Sequence, residues 1–157
     1  MKKLIVITCI ILVVFSCGTA NTDSGKPVPG TEPEKVTNGN PSYDPHRGEG
    51  KFTKVIVGAT LDAGLAENGN KVYSVKCSGC HKLTEEKLVG PGWKGVTTRH
   101  SPEWIMNFIT NTDAMLSKDP KAQAQLEICL VRMPNQNLTD DDARAIYEFQ
   151  RKNDGVR

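Results

Sequence analysis

Two thiols and an imidazole stand together in Cys77-Ser78-Gly79-Cys80-His81. Covalent haem attachment is the chemistry that uses this C-x-x-C-H spacing. Each thiol can add across one vinyl group, so that two thioether bonds fix the porphyrin. The imidazole directly after the second thiol then projects toward the iron as a proximal nitrogen ligand. The expectation is one covalent haem c bound by Cys77, Cys80 and His81, and a protein concerned with electrons. No catalytic residue is expected.

Two other chemistries use paired cysteines. A thioredoxin-like disulfide site needs alternating strands and helices, and the pattern here is helical. A structural zinc site wants four close, paired ligands, and the chain has no second Cys/His pair.

A haem bound by His81 alone would be five-coordinate and open to small molecules. A second protein ligand would turn it toward electron transfer. Met106, Met115, Met133, His46 and His100 are the candidates, and Met133 is favoured. It lies in Arg132-Met133-Pro134-Asn135, between two expected helices, where Pro134 stiffens a loop that must present sulfur to iron. Met106 and Met115 read as helix packing. The alternative is a five-coordinate or ligand-switching haem protein acting as a peroxidase or gas sensor, with His100 as the one distal group on offer.

These residues need a scaffold, and the expected scaffold is all-α: a small helical domain around the haem. Leu65, Ala66, Gly69, Val72 and Tyr73 share one face of a helix that runs into the haem motif. Ser101-Pro102 starts another, with serine as N-cap and proline in first position, and Trp104, Ile105, Phe108 and Ile109 as its apolar stripe. Asp119-Pro120 opens a third, with Ala122, Leu126, Cys129 and Leu130 inward. Cys129 reads as a small buried hydrophobe. The last helix starts in acidic residues 139–142, which suit the positive end of a helix dipole, and buries Ala145, Ile146 and Phe149. Residues 87–100, with Gly90, Pro91, Gly92 and Gly95, read as loop.

Upstream of the domain, Lys2 and Lys3 precede an apolar run over residues 4–15. That run is shorter than the roughly 20 residues of a membrane span and suits a signal-peptide core. Val14-Phe15-Ser16-Cys17 resembles a bacterial lipobox. The expected organisation is a signal peptide at 1–16, a flexible tether at 17–42, an extension packed on the domain at 43–59, with a short strand at 52–57, and the haem domain at 60–153. Cys17 would carry lipid and anchor the chain on the extracytoplasmic, periplasmic side of a bacterial membrane. A formal charge of +2 argues against nucleic acid as a partner. Six basic residues between positions 71 and 99 face only Glu85 and Glu86, a face that could dock acidic partners.

Residues 62–152 resemble a class I, monohaem cytochrome c. The likeness rests on the haem motif near the start, Gly90-Pro91 after it, and Met133-Pro134 near the end. It implies that Gly69 and Tyr73 cross Ile146 and Phe149 of the last helix. It implies that the Pro91 carbonyl bonds His81 and orients it, and that Met133 completes the iron's ligands. It further implies an electron carrier between respiratory partners: a quinol-oxidising complex on one side, a terminal reductase or oxidase on the other. The stretch 44–58 has no counterpart in the minimal family pattern.

Overall fold

The structure is a computed structural model that describes residues 43–157. The expected signal peptide, Cys17 and the tether lie outside the described residues. Six helices follow in order: α1 (Ala63–Lys76), α2 (Val96–Arg99), α3 (Pro102–Thr110), α4 (Thr112–Lys118), α5 (Pro120–Cys129) and α6 (Asp140–Asn153). No strand occurs among the described residues; one isolated bridge joins His81 and Lys87. The all-α expectation holds.

Local chemistry starts each long helix. Asp62 caps α1 by accepting the Leu65 N–H. Ser101 accepts from Trp104 N with Pro102 behind it, and Asp119 accepts from Ala122 N. Thr139 and Asp142 form a reciprocal capping box at α6, each satisfying a backbone donor that the helix leaves free. The acidic first turn and basic last turn of α6 complement its dipole.

The first and last helices pack against each other across Gly69. A Cβ at that position would lie 2.1 Å from the Ala145 carbonyl oxygen, so only glycine allows the two backbones to come this close. Tyr73 then meets Phe149, ring centroids 5.3 Å apart, and Ile146 is buried beside them. A buried ion cluster locks the same pair of helices. Glu148 accepts from Asp62 N at 2.9 Å, Arg144 Nη1 at 2.6 Å and Arg151 Nη1 at 2.6 Å. Burial pushes this carboxyl up, but the Asp62 N–H and the two guanidiniums outweigh it and hold it below its ordinary range.

Residues 43–59 lie against α3, α4 and the start of α5. Asn107, fully buried on α3, accepts the Phe52 N–H and donates to the carbonyls of Arg47 and Phe52, each at 2.9 Å. Glu103 accepts the Val55 N–H at 2.6 Å. Glu49 N donates to the Met115 sulfur at 3.0 Å, and the Tyr43 hydroxyl donates to buried Asp119. The strand expected at 52–57 is absent, because side chains of α3 take the backbone bonds that a neighbouring strand would have taken.

Three further departures are local. Four residues inside the expected 87–100 loop form α2, whose first turn donates to Asp154 from Gly95 N and Thr97 N. Thr112–Lys118 adds a helix that the apolar spacing did not announce. Leu130, expected inward, is 85% exposed. It is the C-cap of α5 and takes a left-handed φ of 59°, which swings its side chain off the helix's inner face.

Candidate haem-binding site

The haem motif begins where α1 ends. Cys77 is the helix C-cap, its N–H still bonded to Tyr73 O. Cys80 N and His81 N then both donate to Cys77 O, at 3.0 and 2.9 Å. This tight turn brings Cys77, Cys80 and His81 to the wall of one cavity, together with Pro91 and Met133. The cavity is partly open to solvent. Val89, Phe108, Leu116, Leu126 and Val131 make its walls mainly apolar, as a flat macrocycle requires.

His81 is buried and held in one orientation. Its Nδ1 lies 2.8 Å from the Pro91 carbonyl oxygen. A carbonyl can only accept, so Nδ1 carries the proton and Nε2 keeps a free lone pair. Burial pushes the imidazole below its ordinary pKa, against the smaller upward pull of the Pro91 bond. Both facts favour the neutral, ligating form. Gly90 makes room: a Cβ there would sit 2.3 Å from His81 Cε1. Tyr73 donates its hydroxyl to His81 O at 2.7 Å, and Trp93 flanks the imidazole at 5.5 Å.

The five candidates for a second ligand separate clearly. Met106 and Met115 are buried in the helical core, and the Met115 sulfur accepts from Glu49 N. His46 is exposed in the extension. His100 stacks on Trp104 at 3.9 Å and reaches only a second, inner cavity. Met133 lines both cavities, as does His81. A nitrogen donor, a sulfur donor, two thiols and apolar walls fit a covalent haem.

The loop that carries Met133 is braced by cations. Lys87 Nζ donates to Ile128 O at 3.0 Å, and Lys76 Nζ to Gln136 O at 2.8 Å. Arg132 pairs with Asp113 at 2.8 Å. Lys76 and Lys87 are two of the six basic residues between positions 71 and 99. Their bonds reach 60 and 41 residues along the chain, respectively, and no local spacing marks such partners. Cys129 is half-buried and lines this cavity instead of filling the core.

The rival chemistries find little support. Burial, foremost, pushes the Cys77 thiol up to about 11, whereas disulfide-exchange cysteines are tuned downward to thiolate. Among the described residues, no three His, Cys, Asp or Glu side chains gather as a metal-binding group.

Fold and cavity together define a small helical protein built around a covalently held haem. The family model for cytochrome c matches residues 66–153, and the chain belongs to that family. It is a class I monohaem cytochrome c with one covalent haem c, and a haem-based electron carrier. Among solved structures it is similar to a cytochrome c from Rhodothermus marinus. The identity is 31%, with 67% of this chain and 90% of that chain covered, at a TM-score of 0.65. An engineered cytochrome c from Rhodothermus marinus, Rma TDE, is similar at 30% identity, the same coverages and a TM-score of 0.64. The same engineered protein bound to a carbene intermediate matches at 30% identity over the same shares, with a TM-score of 0.61. No curated protein matches the chain.

Proposed function

We propose that this protein is a lipid-tethered carrier of single electrons whose iron is held between His81 and Met133. When bound, haem c supplies an iron that cycles between ferrous and ferric states. The carrying observation is the 2.8 Å contact between His81 Nδ1 and the Pro91 carbonyl, in a cavity whose lining also includes Met133. Cys77 and Cys80 hold the macrocycle edge through thioethers. Pro91 orients His81 and raises its basicity as a ligand. Met133 offers a soft sulfur, and a His/Met pair raises the reduction potential relative to harder ligand sets. Bonds from Lys76 and Lys87 to the carbonyls of Gln136 and Ile128, and the Arg132–Asp113 pair, restrain the chain on both sides of Met133, which supports a bound sulfur over an open, ligand-binding iron.

Under this reading Cys17 carries lipid at the extracytoplasmic face of a bacterial membrane, and the 17–42 segment spaces the domain from it. Confinement raises the effective concentration of membrane-bound partners, a quinol-oxidising complex as donor and a terminal reductase or oxidase as acceptor. The discriminating experiment is the ferric absorption spectrum. The far-red band of sulfur-to-iron bonding is expected in the wild type and absent from Met133→Ala. A high-spin wild-type spectrum, with tight binding of small ligands, would overturn the proposal in favour of the five-coordinate reading.

A further inference from the structure

Two carboxylates among the described residues are fully buried, Glu148 and Asp119. Glu148 has two guanidiniums. Asp119 belongs to none of the ion pairs among the described residues. The lysines beside it in sequence are exposed and turn to the extension. Lys118 pairs with Glu49 at 3.1 Å, and Lys121 donates to Pro45 O at 3.2 Å.

Three uncharged donors meet Asp119 instead. The Tyr43 hydroxyl donates to Oδ2, as does Trp104 Nε1 at 3.0 Å, and Ala122 N donates to Oδ1 at 2.8 Å. An indole N–H and a backbone N–H can only donate, so each oxygen takes the acceptor role of an ionised carboxylate. Burial, with the bond and charge of Asp119 behind it, pushes the Tyr43 hydroxyl well above its ordinary range, so it keeps a proton to give.

Both N–H partners are cavity residues. Ala122 lines the outer cavity and Trp104 the inner one. Trp104 also stacks on Phe108, which lines both. One layer of side chains therefore separates Asp119 from the space for the haem. The other ring on Trp104 does not offset the charge. His100 stacks there at 3.9 Å. Burial first, then Lys121 and Arg99, push it down to about 4 with Asp119 opposing, so the imidazole is neutral at neutral pH.

We propose that Asp119 is a fixed internal anion that lowers the reduction potential of the haem, and that the extension moderates it through the Tyr43 hydroxyl. Ferric iron carries one more positive charge than ferrous iron. A buried anion favours that state, because water and salt screen it little. Donors that spread its charge weaken the effect. This deepens the electron-carrier reading and rests on haem occupying the cavity beside Ala122 and Trp104.

The test is a spectroelectrochemical titration of the intact holoprotein. Asp119→Asn and Asp119→Ser remove the charge and keep an N-cap for α5. The midpoint potential is expected to rise in both. Tyr43→Phe keeps the ring and removes one donor, and its potential is expected to fall. Loosened packing alone would admit water, which favours the more charged ferric state, and would lower the potential in all three. The opposed signs therefore separate charge from packing. A potential that falls or stays in both Asp119 variants would overturn the internal anion. One that rises or stays in Tyr43→Phe would overturn the extension's part in it. The expected signs do not need Met133 as a ligand. A wild type without the far-red band would therefore overturn the His/Met reading, while these potentials still decide this one.

Discussion

The Tyr73 hydroxyl donates to the backbone carbonyl of His81 at 2.7 Å, while the Tyr73 ring packs against Phe149. One side chain thus joins the crossing of α1 and α6 to the turn that carries His81. Tyr73→Phe keeps the ring contacts and removes the bond. The expected cost is about 1 kcal/mol in denaturant unfolding of the holoprotein. No change in the unfolding midpoint would show that the bond is idle.

The crossing itself should be intolerant of a single methyl group. Gly69→Ala drives a Cβ into the Ala145 carbonyl and should cost roughly 3 kcal/mol, the upper end for overpacking. Gly64→Ala, in the same helix, meets nothing closer than Asp62 Oδ1 at 3.4 Å. It should be neutral or stabilising by up to about 1 kcal/mol, because alanine favours helix over glycine. Thermal unfolding of the pair separates crowding from propensity.

Glu148 sets an acid limit on the fold. Its folded pKa is depressed below the ordinary 4.5. Its contribution is therefore complete above about pH 4.5 and is lost as pH falls through the lower folded value. Glu148→Gln should flatten stability against pH in that acid window. It should also cost about 3 kcal/mol or more at neutral pH, because buried Arg151 loses its counter-charge. Urea titrations at several pH values read both effects, and parallel curves for the two proteins would refute the linkage.

The cationic braces predict a kinetic phenotype. Removing both in Lys76→Ala/Lys87→Ala frees the Met133 loop at each end. Each bond is worth about 1 kcal/mol, so cyanide should bind the ferric protein roughly fivefold or more faster. An unchanged rate would show that these two bonds do not restrain the loop.

Gly90→Ala should disturb the cavity without replacing His81 itself. The new Cβ meets the His81 ring, so the ring must tilt away from Pro91. Covalent haem incorporation, read from the yield of holoprotein, should drop severalfold. Yields equal to wild type would show that the loop can yield instead.

What was legible in the sequence was local. The C-x-x-C-H turn, the serine, aspartate and threonine caps, and the glycine at the helix crossing each act over a few residues or through a recurrent pairing. They announced an all-α haem fold. The strand expected at 52–57 failed because the Phe52 and Val55 N–H groups are satisfied by Asn107 and Glu103, about 50 positions away. Leu130 failed because a left-handed C-cap breaks the helical period at its last turn. Gln150, buried on α6, gave no signal, since a glutamine in an amphipathic helix ordinarily faces water.

The extension's bonds also impose an order of events. Tyr43 meets Asp119 across 76 positions, and Phe52 meets Asn107 across 55. The first partner to be made is therefore the last to find its place. Closing such long loops carries an entropic cost before any contact rewards it. The haem motif and the α1 turn can form before residues 43–59 find their place. The extension then closes late over α3 and α4, its Glu49 N–H capping the Met115 sulfur.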